Sequence, residues 1–122
     1  MDSESTGNAG PYELVVLWTS GDRDVALKMV FMYLLKAAEK KWWGRVSLVV
    51  WGPSAHLLAT DLILRSKVVE LKTAGVHLLA CQTCAEEYDV VIRLSSLGIE
   101  VKYMGETLTG YLKDPRCKVL TF

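Results

Sequence analysis

Two cysteines separated by two residues are the side chains in this chain best suited to chemistry. Cys81 and Cys84 follow the apolar run 75–80, which predicts a buried strand, and the periodic segment 85–96 after them predicts a helix. The pair therefore lies where a strand passes into a helix N-terminus, and the unpaired N–H groups and the helix dipole there favour an anion. A thiolate is such an anion and is the nucleophilic form of cysteine. The placement predicts sulfur chemistry, with Cys81 and Cys84 as the catalytic residues.

The composition indicates one compact domain with balanced charge. The chain has 122 residues, of which 51% are hydrophobic, and this is enough to build one core. Lys plus Arg and Asp plus Glu number 14 each, whereas a nucleic-acid-binding domain usually shows a basic excess. The apolar runs are far shorter than a bilayer-spanning helix requires. We therefore expect neither a nucleic acid nor a membrane as a partner.

The N-terminal residues 1–11 are polar and end at Pro11. They predict a flexible tail, followed by a single domain over residues 12–122. The first residues carry Asp2 and Glu4 and show neither the basic region nor the apolar region of a signal peptide. Three cysteines are an odd number and do not suit a disulfide framework. We expect the protein in the cytoplasm.

Predicted strands and helices alternate along the chain. The strands cover residues 13–18, 45–51, 76–80, 100–103 and 117–121, and the helices cover 24–40, 54–73 with some interruption, 85–96 and 105–113. This order predicts a three-layer α/β/α fold with a mainly parallel five-stranded sheet, flavodoxin-like in outline. In the first helix, the residues spaced for burial are Val25, Met29, Met32, Tyr33 and Ala37.

Ligands of such folds bind beyond the carboxyl ends of the strands. The predicted substrate-binding residues at that edge are Gln82, Thr83, Thr19, Ser20, Gly21, Gly52, Pro53, Ser54, Met104 and Gly105. If strand three neighbours strand two, residues 52–54 line the cysteine site, and if it neighbours strand one, residues 19–22 do. His77 and Cys117 begin their strands, so we expect both at the opposite edge. Four strand residues span about 13 Å, which makes His77 a poor base for Cys81.

The order of these elements resembles the DsrE/DsrF-like family of small sulfur-relay proteins. The likeness runs from residue 13 to residue 122, and three segments carry most of it. They are Ser20-Gly21-Asp22 after the first strand, Trp51-Gly52-Pro53-Ser54 after the second, and Gly75-Val76 leading into Ala80-Cys81-x-x-Cys84. The closing Leu97-Gly98-Ile99-Glu100-Val101 is similar too.

The resemblance implies a sulfur carrier or sulfurtransferase-like protein. In that family one cysteine after the third strand accepts sulfane sulfur as a persulfide and passes it to a partner protein. Cys81 matches that position, and Cys84 matches a second cysteine found in many members. The resemblance also implies a homo-oligomer, a trimer or a hexamer. Several relatives carry basic residues after the active cysteine, whereas this chain has Glu86 and Glu87 there.

Other functions for the same residues stay open. The chain also fits a non-catalytic oligomeric binding or redox-regulatory module of the same fold. A thioredoxin-like oxidoreductase also places Cys-x-x-Cys at a helix start, but there the motif usually follows an earlier strand and faces a cis-proline. A structural zinc site needs four ligands, and this chain offers one cysteine pair, so we expect no metal and no cofactor.

The aromatic residues and the other candidates have structural interpretations. Trp18 and Trp51 end neighbouring strands, and ordinary packing is their expected role. Trp42 and Trp43 are adjacent and cannot both face one core, which indicates a subunit contact. Cys117 is expected to be a small buried apolar residue, and His56 a surface or capping residue.

Overall fold

The computed structural model describes residues 12–122, so the predicted tail lies outside the described residues. The strands are β1 Glu13–Trp18, β2 Arg45–Val50, β3 His77–Cys81, β4 Glu100–Lys102 and β5 Cys117–Thr121. The α-helices are α1 Arg23–Val25, α2 Phe31–Glu39, α3 Pro53–Thr60, α4 Leu62–Thr73, α5 Gln82–Glu87, α6 Val91–Ser95 and α7 Gly105–Lys113, and a π-helical turn over Ala26–Val30 joins α1 to α2.

The five strands form one sheet in the order β4-β3-β2-β1-β5, and every pairing in it is parallel. From β1 to β4 the chain moves across the sheet in one direction, so right-handed crossovers place the connecting helices on the same face. The connection from β4 to β5 returns across the sheet and places α7 on the other face. The predicted three-layer α/β/α fold is confirmed.

The two faces of the sheet are unequally covered. A large apolar cluster fills the face covered by α2 to α6, with Val16, Leu48, Leu78 and Ala80 from the strands. A small cluster lies on the α7 face and comprises Val15, Val49, Leu79, Cys81 and Met104, with Trp51 and Tyr111 packed against it. Cys81 therefore faces the side of the sheet on which the described residues place a single helix, α7.

The buried face of the first long helix differs from the predicted one. Ala26, Val30, Phe31, Leu34 and Ala37 are buried, whereas Met29 and Met32 are 48% and 62% exposed, so their predicted burial is wrong. Apolar residues surround this helix, and the spacing alone does not fix which side faces the core. The π-helical turn also adds a residue to one turn and shifts the positions that follow it.

The predicted helix 85–96 is two helices, and the prediction of one is wrong. α5 ends in a Schellman motif: Asp89 has a φ of +57°, Val90 N–H donates to Ala85 O at 2.8 Å, and Asp89 N–H donates to Glu86 O at 3.0 Å. The sequence does not predict this helix end, because a non-glycine residue, Asp89, adopts the left-handed conformation. Gly98, with a φ of +83°, has the left-handed conformation that a glycine at a helix end allows.

Candidate thiol site at the carboxyl edge of the sheet

Cys81 is both the last residue of β3 and the N-cap of α5. Its Sγ accepts the backbone N–H of Cys84 across 3.5 Å, which is the bond that a serine or aspartate side chain makes at other helix starts. The side chain packs in the small cluster, and the residue is only 5% exposed. The sulfur thus lies at a helix N-terminus, just below the surface.

Cys84 is the third residue of α5 and is half-buried. Its Sγ accepts the backbone N–H of Gly52 across 3.2 Å. Burial raises the pKa of Cys84, and a hydrogen bond with Cys81 raises the pKa further, while the Gly52 N–H lowers it. The negative charges of Cys81 and Glu87 also raise this pKa. The raised pKa favours the protonated thiol of Cys84.

The strand order decides which predicted loop lines this site. β3 lies between β2 and β4, so the segment after β2 flanks the cysteines, and Gly52 makes the direct contact with Cys84. Pro53 is the first residue of α3. The Ser54 hydroxyl is buried, where it donates to Trp18 O at 2.6 Å and accepts the Trp51 N–H at 3.2 Å. Ser54 thereby stabilises the junction between β2 and α3.

The loop after β1 is placed farther from the thiols. Thr19 Oγ1 donates to Phe122 O at 2.8 Å, and Ser20 Oγ accepts the Asp22 N–H at 3.0 Å. A Cβ built on Gly21 would lie 3.4 Å from Pro53 Cβ, so this loop packs against the start of α3. Thr19, Ser20 and Gly21 are thus separated from the cysteines by the loop that follows β2.

The loop after β4 closes the other side of the site. Met104 is buried and packs in the same cluster as Cys81, and Gly105 is the first residue of α7. Gln82 and Thr83 form the first turn of α5, where Gln82 Nε2 donates to Glu86 Oε2 at 3.1 Å. The site therefore brings together Cys81, Cys84, Gln82, Thr83, Gly52, Met104 and the half-buried Trp51.

Tyr103 is a neighbour of this site that the sequence reasoning missed. Its hydroxyl donates to Glu86 Oε2 at 3.2 Å, and this hydrogen bond raises the pKa of Tyr103. Tyr103 directly follows β4, so its position at the carboxyl edge was the available signal. Glu86 is consequently held between Gln82 and Tyr103.

The opposite edge of the sheet carries a separate polar cluster. As expected, His77 and Cys117 lie there. His77 Nδ1 is 2.7 Å from Arg45 Nη2, and His77 Nε2 is 3.7 Å from Glu100 Oε1. Cys117 Sγ donates to Glu13 Oε1 at 3.5 Å, and Cys117 is half-buried rather than fully buried.

The remaining aromatic residues are mostly structural. Trp18 is fully buried and meets Phe31 edge to face, with ring centroids 5.2 Å apart. Trp43 packs against the large cluster and donates to Tyr33 Oη at 3.1 Å, whereas Trp42 is 57% exposed. His56 is exposed, and its ring lies 5.4 Å from that of Tyr88.

Within residues 12–122, no helix is long and apolar enough to cross a membrane.

Comparison with known proteins gives one informative match. No protein-family model matches the chain, and no curated protein matches it. The solved structure of BT1422, a conserved protein of unknown function from Bacteroides thetaiotaomicron, is similar to this chain at 35% sequence identity and a TM-score of 0.87. The match covers 90% of this chain and 94% of that one, so it extends over the sheet and its helices.

Proposed function

We propose that this chain, which belongs to the same family as the conserved protein BT1422 from Bacteroides thetaiotaomicron, is a sulfur carrier that works through Cys81. Cys81 accepts sulfane sulfur as a persulfide and passes it to a partner protein. The function of BT1422 is unknown, so the support comes from the thiol site and from the resemblance to the DsrE/DsrF-like family. The observation that carries the proposal is the Cys81 sulfur at the N-cap of α5, where it accepts the Cys84 N–H.

The proposed loading step is a transfer of one sulfur atom between thiolates. The Cys81 thiolate attacks the outer sulfur of a donor persulfide, R–S–SH. A new S–S bond forms on Cys81, the S–S bond of the donor breaks, and R–S⁻ leaves while the proton stays on the transferred sulfur. The N–H groups at the start of α5 stabilise the attacking thiolate because they are donors without helical acceptors.

Cys84 has a second role in this proposal. Its backbone N–H donates to Cys81 Sγ in the resting site, so after loading the Cys84 thiol lies close to the inner sulfur of the persulfide. If Cys84 loses its proton and attacks that inner sulfur, a Cys81–Cys84 disulfide forms and the outer sulfur leaves as hydrosulfide. Transfer to an acceptor thiolate instead regenerates the Cys81 thiolate. Cys84 therefore limits the lifetime of a persulfide that finds no acceptor.

The test is the mass of the intact protein after incubation with the persulfide of cysteamine. We expect wild type and Cys117→Ser to gain one sulfur atom and Cys81→Ser to gain none. Cys84→Ser should gain the atom and retain it longer, because the internal release of hydrosulfide is lost. An equal gain by Cys81→Ser and wild type would overturn the assignment of Cys81.

A redox-regulatory module is the second candidate function. The burial of Cys81, at 5% exposure, favours it, because a sulfur below the surface is better placed to pair with Cys84 than to meet a partner. This function predicts a reversible Cys81–Cys84 disulfide and no stable gain of sulfur. The mass of Cys84→Ser in the measurement above distinguishes the two candidates, because that variant cannot lose the added sulfur through the internal disulfide.

Assembly and location complete the proposal. We propose a homo-oligomer, a trimer or a hexamer, that exchanges sulfur with a donor or acceptor protein in the cytoplasm. The support is the set of large apolar side chains that the single chain leaves exposed on one side, namely Met29, Met32, Trp42 and Leu120. Exposed groups of this kind are typical of protein interfaces.

A further inference from the structure

Lys102 is the cross-strand neighbour of Cys81. The parallel register of β3 and β4 sets Cys81 opposite Lys102 and Leu79 opposite Glu100. Paired residues on adjacent strands lie on the same face of a sheet, and the strands are about 5 Å apart. Cys81 and Leu79 both pack in the small cluster on the α7 face. Lys102 therefore begins on that face, directly beside the thiol.

Lys102 also differs in charge from the other ionisable groups at this edge of the sheet. Three segments surround the thiols, namely 51–56, 82–89 and 102–106. Their carboxylates are those of Glu86, Glu87, Asp89 and Glu106. Lys102 is the one lysine or arginine in the three segments. A thiolate at Cys81 thus has one cationic side chain beside it, in addition to the N–H groups at the start of α5.

Glu100 holds the amino group of Lys102 in the structure. Lys102 Nζ lies 3.8 Å from Glu100 Oε2, and the other oxygen of that carboxylate lies 3.7 Å from His77 Nε2. The side chains of Lys102 and Glu100 are 40% and 55% exposed, and an ion pair as exposed as this contributes little to stability. Because the lysine stem is flexible, Lys102 can leave Glu100 at small cost.

We propose that Lys102 exchanges partners during the reaction: it pairs with Glu100 while Cys81 is a thiol and with the Cys81 sulfur once the thiolate forms. An opposite charge within about 4–6 Å favours the ionised form of a group, so Lys102 increases the fraction of Cys81 that is nucleophilic.

This inference rests on the proposed sulfur-carrier function for its transfer step. In that step the Cys81 thiolate attacks the outer sulfur of R–S–SH, the new S–S bond forms on Cys81, and the S–S bond of the donor breaks. The negative charge departs with R–S⁻, and the proton stays on the transferred sulfur. Lys102 then returns to Glu100.

Alkylation by iodoacetamide tests the exchange without any sulfur transfer, because the reagent is uncharged and reacts with the thiolate. A parent protein with Cys84→Ser and Cys117→Ser keeps Cys81 as its one thiol. The variants made in this parent are Lys102→Met, Lys102→Arg, Glu100→Gln and the control Lys118→Met.

Lys118 is a matched control for Lys102. It is an exposed lysine on β5, the edge strand at the opposite side of the sheet from β4. Its register partner is Leu14, which packs in the large cluster, so Lys118 lies on the other face from Cys81. Lys118→Met therefore makes the same change in charge far from the thiol.

We expect Lys102→Met to lower the rate of alkylation at neutral pH about fivefold, the effect of one unit charge about 4 Å away in water. Lys102→Arg should retain the rate because it retains the charge, and Lys118→Met should leave it unchanged. Glu100→Gln should raise the rate, because Lys102 then has no competing partner. The rates of all variants should converge at high pH, where the thiol is ionised in each of them.

Three results would overturn the exchange of partners. One is an equal rate at neutral pH in Lys102→Met and the parent. Another is a rate in Lys102→Met that stays low at high pH, because the substitution would then act on access to the sulfur. The third is an equal gain from Glu100→Gln with and without Lys102→Met, because Glu100 would then act on the thiol directly.

Sulfur gain from the persulfide of cysteamine separates this inference from the proposed function. Slower alkylation and slower gain of sulfur in Lys102→Met support both. Equal alkylation, with sulfur gained by Lys102→Met and the parent alike, overturns the role of Lys102 and leaves the sulfur-carrier proposal intact. Slower alkylation of Lys102→Met, with no gain of sulfur in any variant, overturns the sulfur-carrier function and leaves Lys102 as the counter-ion of a redox thiol.

Discussion

The backbone N–H of Gly52 donates a hydrogen bond to Sγ of Cys84 across 3.2 Å. Gly52 follows β2 and Cys84 lies in α5, so the bond joins the loop after one strand to the helix after its neighbour. Gly52 has a φ of +72° and a ψ of −139°, a conformation that is open almost exclusively to glycine. The geometry of the thiol site thus depends on a backbone conformation that other residues adopt only with strain.

Gly52→Ala should therefore lower the stability of the protein without creating a steric clash. Among residues 12–122, a Cβ at this position would have no atom within 4 Å, so the cost comes from the backbone conformation. We expect the free energy of unfolding to fall by about 1–3 kcal/mol, measured by chemical denaturation.

Gly110→Ala is the matched control for Gly52→Ala. Gly110 lies inside α7, and a Cβ there would also have no atom of the described part of the chain within 4 Å. Because alanine is the better helix former, this change should raise the free energy of unfolding by about 0.5–1 kcal/mol. A loss of stability in both variants would show that the φ of Gly52 is not the cause.

The pair His77 and Arg45 should make stability depend on pH. A guanidinium only donates hydrogen bonds, so His77 Nδ1, at 2.7 Å from Arg45, accepts and the ring is neutral. Burial and then the charge of Arg45 lower the pKa of His77 below its ordinary value of 6.5, while Glu100 and Glu13 oppose this shift. As the pH falls below about 7, the unfolded chain binds a proton before the folded chain does. We therefore expect the free energy of unfolding to decrease from that pH down to the folded-state pKa of His77.

Chemical denaturation at a series of pH values measures this decrease. His77→Gln lacks the titrating group and should show a flatter profile between about pH 7 and pH 5. Below that range the carboxylates dominate the profile of both proteins. Profiles of equal slope in wild type and His77→Gln would contradict the assignment to His77.

The thiol of Cys117 should be slow to react. Burial, followed by the charge and hydrogen bond of Glu13, raises the pKa of Cys117 to about 11. Alkylation requires the thiolate, so at neutral pH we expect Cys117 to be labelled more slowly than Cys81. Glu13→Gln should speed the labelling of Cys117, because it removes the second cause of the raised pKa.

Peptide mapping after brief exposure to iodoacetamide gives the rate at each cysteine. The unfolded protein supplies the reference rates, since the three thiols there lose their different surroundings. Equal labelling of Cys81 and Cys117 in the native protein would remove the support for a thiolate at the start of α5.

Oxidation should join Cys81 to Cys84 and leave Cys117 free. Cys81 and Cys84 are in hydrogen-bond contact at the start of α5. Cys117 lies in β5, which is separated from β3 by β2 and β1, and three strand spacings amount to about 14 Å. A disulfide needs Cα atoms less than about 7 Å apart. Mapping of the oxidised protein that finds Cys81 joined to Cys117 within one chain would contradict the order of the strands.

The parts of the fold that follow local rules could be predicted from the sequence. β1 and α7 have their predicted bounds because short apolar runs and a glycine at a helix start are local signals. The strand-to-helix junction at Cys81 was also predicted, because local signals mark it too. The position of the long helix was predicted, but its buried face was predicted wrongly. Met29 and Val30 are both apolar, and only tertiary packing decides which of them is buried.

The candidate site was only partly predictable because its contacts join distant parts of the chain. The bond from Gly52 to Cys84 depends on β2 and β3 being neighbours, and the sequence left that order open. The hydrogen bond from Tyr103 to Glu86 likewise depends on β4 lying beside β3. Thr19, Ser20 and Gly21 belong to the correct edge of the sheet, but a single intervening strand separates them from the thiols.

Assembly of the protein should depend on large apolar side chains that the single chain leaves exposed. Met29, Met32, Trp42 and Leu120 are between 40% and 62% exposed, and all four line one groove between α2 and β5. Burial of such groups against another copy would remove apolar area from water, and closed symmetry would repeat the same interface. We expect light scattering to give the mass of a trimer or a hexamer, and Trp42→Glu or Met32→Glu to shift it toward that of one chain.

Ile92→Glu, at an apolar residue that is 83% exposed on α6, is the control and should leave the mass unchanged. Wild-type protein with the mass of one chain at micromolar concentration would contradict the prediction and leave the exposed groove without an assembly role.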